Sequence, residues 1–212
     1  GGYLFLTVGD RHHQDRAQQL NNDAGKILRL HDDGSIPPDN PFVNTKDARP
    51  EIWSYGHRNP QGLTVHPETN ELWEDEHGPL GGDEFNIIHR GANYGWPVIS
   101  YGWQYSGGPI GMGITTQKGM EQPLWVWTPG IAPSGLMIYT GTRFAAWRGS
   151  IFIGAMAGHH LCRLVVKDGN VVAEERLMNG KAGRVRLVEQ TNDGFIYIGN
   201  DDGQLLRLQP VQ

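Results

Sequence analysis

The feature that most restricts the fold is a series of short β-prone segments joined by turns built on Asp and Gly. Near the C-terminal end, Val185–Gln190, Phe195–Gly199 and Gln204–Leu208 are separated by Asn192-Asp193-Gly194 and Asp201-Asp202-Gly203. An Asp-Gly pair readily takes the positive φ of a tight hairpin, so these segments read as an antiparallel meander. Segments of the same kind are Tyr3–Val8, Lys26–Leu30, Glu51–Tyr55, Leu63–His66, Glu71–Glu74 and Phe85–His89. Gly135–Tyr139, Ser150–Gly154 and Leu161–Val166 extend the series. No crossover helix is written between any two of them, which excludes a parallel α/β sheet. Only Gln14–Asn22 has weak helical character. The expected class is all-β. A strand, an Asp-Gly turn and a further strand is the cadence of propeller blades; without a strict repeat period, a β-sandwich is the competing arrangement.

Composition narrows the class further. Thirty Gly and thirteen Pro make 43 of the 212 residues, too many breakers for a helical bundle. A formal charge of −5 offers no basic face, so no nucleic-acid partner is expected. No apolar run approaches the roughly 18 residues of a helical membrane span. The single cysteine, Cys162, leaves no intrachain disulfide and reads as a buried thiol in an alternating strand. The interval Gly91–Ile131 is rich in Gly, Pro and aromatic residues but poor in strand pattern, and a loop of that length is expected to be functional.

Four clusters carry chemistry. In Tyr55–Gly62, Arg58, Asn59 and Gln61 crowd around Pro60, a set that suits a flat polyacid and equally suits a structural turn. Glu76–Glu84 places carboxylates among Gly and Pro, the hard oxygen donors that calcium uses; taken alone, such a turn reads as solvated. In Gly183-Arg184-Val185-Arg186, alternation puts both arginines on one face, for a bound dianion or for an exposed basic edge. Asp10, closing Val8-Gly9-Asp10, either orients a histidine or caps a turn.

Together these clusters resemble the soluble PQQ-dependent aldose and glucose dehydrogenases, the glucose/sorbosone dehydrogenase family. The matching strings are GKILRLHDDGSIPPDNPF (25–42), EIWSYGHRNPQGLTVHPETNELW (51–73), EHGPLGGDEFNIIHRGANYGWP (76–97), FIGAM (152–156) and GRVR (183–186). The resemblance implies a six-bladed β-propeller, with residues 1–212 supplying roughly the last three to four blades and the N-terminal blades missing. It implies that Arg58, Asn59, Gln61, Tyr105, Ala155, Arg184 and Arg186 contact PQQ. It also implies that the carbonyls of Gly78 and Pro79 hold a calcium ion at the cofactor, and that Glu84 and the Tyr94 carbonyl hold a second. An aldose would be oxidised at its anomeric carbon to a lactone, with electrons passed to an external acceptor, in a periplasmic or secreted enzyme. Arg58 would polarise the quinone, and Asp10 would orient the catalytic histidine.

The sequence departs from that pattern twice. The histidine implied by the resemblance lies upstream of Gly1, so the chain alone is expected to be inactive; His12, His13 and His57 read as loop or pocket-wall residues. At position 157, where a lysine is implied, the chain has Ala157, with His159 or His160 as the candidate replacement. A non-catalytic calcium- or sugar-binding propeller is the alternative function, and a lactone hydrolase gains no motif support.

Overall fold

In the computed structural model, which describes residues 2–210, the strands form four antiparallel sheets met in chain order. The first holds β1 (Tyr3–Val8), β2 (Lys26–His31) and β3 (Ile52–Tyr55); the second holds β4 (Pro60–Val65), β5 (Leu72–Glu76), β6 (Asp83–Ile88) and β7 (Trp125–Trp127). The third is β8 (Pro133–Ile138), β9 (Ile151–Ala155), β10 (His160–Lys167) and β11 (Asn170–Leu177). The fourth is β12 (Val185–Gln190), β13 (Ile196–Asn200) and β14 (Leu205–Arg207). Each sheet runs up and down without crossovers. The first strand of each sheet lies against the first strand of the next: β1 on β4, β4 on β8, β8 on β12. Sheets related in that way stand side by side as propeller blades, and the face-packed sandwich is excluded.

Strand β8 shows why the blades cohere. Its side chains alternate, and both faces are covered. Leu136 and Ile138 enter the core shared with the second sheet, beside Trp73, Phe85 and Trp127. Met137 and Tyr139 enter the core shared with the fourth, beside Val185, Val188 and Ile196. The buried Tyr139 hydroxyl is satisfied by donating to the Gly194 carbonyl at 2.7 Å.

Three details differ from the sequence reading. The aromatic interval Gly91–Ile131 contributes β7, a short edge strand whose Trp-Val-Trp is too brief to show a period. Strand β11 was not foreseen because Glu174, Glu175 and Arg176 interrupt any apolar alternation; it is an exposed edge, where charge discourages further strand pairing. Among the described residues, two sheets have three strands rather than four. The weakly helical segment is a short 3-10 turn, Gln14–Gln18. It is held by the fully buried Lys26, whose ammonium donates to the carbonyls of Arg16 (3.0 Å), Ala17 (3.0 Å) and Ala24 (2.6 Å). From that turn Gln18 donates to the Trp96 carbonyl at 2.7 Å, tying the first sheet to the long loop of the second.

Phe85 is fully buried, edge-on to Trp73, and at the centre of the core between the second and third sheets. Phe85→Ala is expected to lower unfolding free energy by roughly 3–5 kcal/mol in urea titration. A loss below about 1 kcal/mol would mean that the blades do not share this core.

Candidate functional site

The end of β1, the β3–β4 turn and the β5–β6 loop meet at one corner. The Asp10 amide donates to the Arg58 carbonyl at 2.7 Å. One Asp10 carboxylate oxygen accepts the His12 amide and the other accepts the Trp96 indole N–H, both at 2.9 Å. The Arg58 guanidinium sits 5.6 Å from the Trp96 ring centroid and donates to the His77 carbonyl at 2.9 Å. Arg58 is therefore positioned from two sides, and Trp96 is the group that couples it to Asp10. Sequence reasoning quoted the Asn93–Pro97 string but gave Trp96 no role; an indole flanked by Gly and Pro next to a charged cluster was the available signal. Gly9 lets Asn59 pack close, since a Cβ at that position would stand 2.6 Å from the Asn59 side-chain oxygen and push it aside. Gln61 stands apart, its amide reaching only the neighbouring Pro60 carbonyl at 3.4 Å.

Beside this corner opens a cleft of about 550 Å³ lined by His77, Gly78, Pro79, Leu80, Asp83, Tyr105, Thr128 and Ala157. Gly81 and Gly82 turn its wall at φ of +74° and +70°, values that favour glycine. Buried Asp83 clamps the loop by accepting the amides of Gly78 (2.8 Å) and Ala132 (2.7 Å). The His77 ring bonds the Pro133 carbonyl through Nε2 at 2.7 Å. Burial pulls its pKa below the ordinary imidazole value; Asp83 opposes the shift, and Arg58 and Arg186 add to it.

The turn Glu76–Glu84, which taken alone reads as solvated, has Glu76 and Asp83 buried and Glu84 half-buried, and the burial extends back along β5. Glu74, Asp75 and Glu76 are all buried. Alternation sends Asp75 to one face, where it accepts the Gly62 amide at 3.2 Å. Glu74 and Glu76 face the other way, across from Asn86 and Glu84 of β6. Asn86 donates to Glu74 at 3.1 Å and to Glu84 at 3.5 Å, and Glu76 accepts the Arg58 amide at 2.8 Å. Burial, reinforced by the neighbouring carboxylates, raises the pKa of Glu74 and of Glu84 well above the ordinary range. One oxygen of Glu74, the Asn86 oxygen and His57 Nδ1 are buried without partners. Ligand atoms of His57, Glu74 and Glu76 lie within 4.8 Å of one another. Glu76, Glu84 and Tyr94 also line a cavity of about 10 Å³, the space of about one water or ion. Orphaned oxygens, mutual repulsion and room for one particle fit a divalent cation with hard ligands.

His57 is not a pocket-wall residue. It is fully buried, stacked on Tyr94 with centroids 4.6 Å apart, and bonded to the Ser54 hydroxyl at 2.9 Å. His12 and His13 are exposed on the loop after β1.

Arg184 and Arg186 project to one side and share a single carboxylate, Asp201, at 3.0 and 2.7 Å. Each is about half exposed and neither lines the cleft. Ala155 is buried within β9, paired with Pro133 and His160, and does not line the cleft. Ala157 does line it. His159 is exposed; His160 is buried, with both ring nitrogens unpartnered, and neither lines the cleft. No helix among the described residues is long and apolar enough to cross a membrane.

Comparison with known proteins adds the context. A family model described as Glucose / Sorbosone dehydrogenase matches residues 1–207. The aldose sugar dehydrogenase YliI of Escherichia coli is 41% identical over 213 residues, covering 99% of this chain and 57% of that enzyme. A crystal structure of glucose dehydrogenase superimposes with a TM-score of 0.94 at 46% identity, over 99% of this chain and 61% of that one. The PQQ-bound form of aldose sugar dehydrogenase from Streptomyces coelicolor gives 0.76 at 27% identity, over 98% of this chain and 58% of that one. The chain thus spans little more than half the length of these relatives.

The carboxylate cluster sets a pH dependence. Glu74 and Glu84 have folded pKa values above their unfolded ones, so the stability they contribute is present below the ordinary value of 4.5 and fades as pH rises through the folded values. In chelator, the melting temperature is expected to fall between about pH 5 and about pH 8, and calcium to restore more at the higher pH. A calcium effect equal at both ends of that range would count against a cation at these carboxylates.

Proposed function

The chain belongs to the glucose/sorbosone dehydrogenase family, and from that premise we propose that it carries the cofactor side of a PQQ-dependent enzyme oxidising aldoses at the anomeric carbon to lactones. The observation that carries this reading is the convergence of Asp10, Arg58 and His77 beside the 550 Å³ cleft. When bound, PQQ supplies the two-electron oxidant, and the reduced cofactor returns its electrons to an external acceptor.

The chain's own residues would hold and polarise it. Arg58, its backbone amide on Glu76 and its guanidinium on the His77 carbonyl, would present a positive charge at this corner. Asn59, Gln61, Tyr105 and the backbone at Ala155 are proposed contacts from the neighbouring walls. Arg184 and Arg186 place two guanidiniums on the one Asp201 carboxylate, a pairing that leaves positive charge for an anionic ligand. The carbonyls of Gly78 and Pro79, on the cleft wall, are proposed to hold calcium at the cofactor. Glu84 and the Tyr94 carbonyl, with Glu76 close by, are proposed to hold a second ion. Asp10 is the carboxylate proposed to orient the proton-accepting histidine; within this chain, buried His57 has no path to a substrate proton. A periplasmic or secreted location belongs to the same reading. One observation favours the rival, a non-catalytic cation- or sugar-binding propeller: Ala157 leaves its part of the cleft wall uncharged.

With calcium present, the chain is expected to retain PQQ through gel filtration, seen as quinone absorbance. Arg58→Ala and Arg184→Ala should each weaken binding about ten- to a hundredfold, the range of a hydrogen bond to a charged group. Retention of calcium without quinone would decide for the rival.

A further inference from the structure

The rim of the cleft carries apolar surface of which the cofactor reading uses only Tyr105. Leu80, Trp103 and Tyr105 are 57%, 55% and 73% exposed. Leu80 and Tyr105 line the cleft. Leu80 and Trp103 exchange both backbone hydrogen bonds, at 3.0 and 3.1 Å, as an antiparallel bridge. Side chains of such a directly opposed pair stand on the same face. Tyr105 follows in a turn and lines the same cleft. The bridge therefore brings the indole to the face on which Leu80 meets the cleft.

This ledge is built rather than loose. Gly102 packs so closely on the Gly78–Gly82 loop that a Cβ would stand 2.8 Å from the Pro79 ring. Trp103 bridges Pro109 on its other side, and the Gln104 amide donates to the Gly108 carbonyl at 3.0 Å.

An apolar ledge above a polar floor of His77, Asp83 and Thr128 has the two characters of a pyranose ring. A sugar presents hydroxyls around its edge and, where its substituents are equatorial, a face of axial C–H groups. Stacking that face on an indole removes apolar surface from water and sets polarised C–H against the negative face of the ring. We propose that Trp103, flanked by Leu80 and Tyr105, is a stacking subsite for an aldopyranose with an uninterrupted axial C–H face, as in β-glucopyranose. The subsite deepens the sugar-oxidising reading and rests on it for its substrate class, but its test does not require turnover.

Saturation-transfer NMR on the 212-residue chain with methyl β-D-glucopyranoside tests it, alongside PQQ titration of the same samples. Transfer should be strongest at the three axial hydrogens of one face, and Trp103→Ala should reduce it about fivefold while Trp103→Phe keeps most of it. Methyl β-D-allopyranoside, with an axial hydroxyl interrupting that face, should receive about threefold less. PQQ affinity should stay within about twofold in both variants, since neither substitution removes a cation from the cleft. No transfer in the parent chain, or transfer unchanged in Trp103→Ala, overturns the subsite. So does a PQQ affinity that drops in step with the sugar signal. An intact sugar signal without PQQ binding would leave the subsite standing and remove the dehydrogenase reading instead.

Discussion

Strand β5 carries Glu74, Asp75 and Glu76 into the space between blades, and each carboxylate there must find a donor, a proton or a cation. Much of the site's geometry follows from how those needs are met. Glu76 takes the Arg58 amide and so fixes the turn that presents the guanidinium. Asp75 takes the Gly62 amide on the opposite face and anchors the start of β4. Glu74 is left with one unpartnered oxygen close to Glu76 and His57, where a cation would offset the repulsion of the two carboxylates. One strand thus couples a polar corner to a metal-ready cluster.

Blade architecture explains how residues far apart in the chain act together. Each sheet places its first strand against the next, so the connecting loops gather at shared ends. Asp10 arrives from the first sheet, Arg58 from the link to the second, and His77 and Trp96 from loops of the second. Arg184 and Arg186 come from the fourth, where they share Asp201. Rigid scaffolding matters because a guanidinium held at both its amide and its side chain needs little reorganisation to receive an anion. The alternating cores around β8 supply that rigidity.

Much of the fold was legible locally. Asp-Gly turns marked the hairpins, and the period-two runs marked most strands, because both signals are carried by adjacent residues. Strand β11 was hidden by its charges and β7 by its shortness. Pro60 opens β4, although the reading began that strand at Leu63, since a proline can lead a strand without donating to its ladder. The family was legible as long strings in order. The surroundings of individual residues were not legible: Gln61 reaches only the Pro60 carbonyl and Ala155 is enclosed in the ladder of β9, which no string spells out.

What the sequence by itself determined is the all-β class, the positions of the turns, the family, and the pairing of Arg184 and Arg186 on one face. These depend on φ preferences and alternation, which are short-range properties of the chain. Only the tertiary structure decided which polar groups lose water. Glu74, Asp75, Glu76 and His57 look no different in sequence from solvated residues, and they are buried because neighbouring strands and loops close over them. The same packing set Trp96 between Asp10 and Arg58, and left Trp103 exposed beside the cleft. Desolvation depends on everything packed around a group, most of it distant along the chain, and no local pattern encodes it.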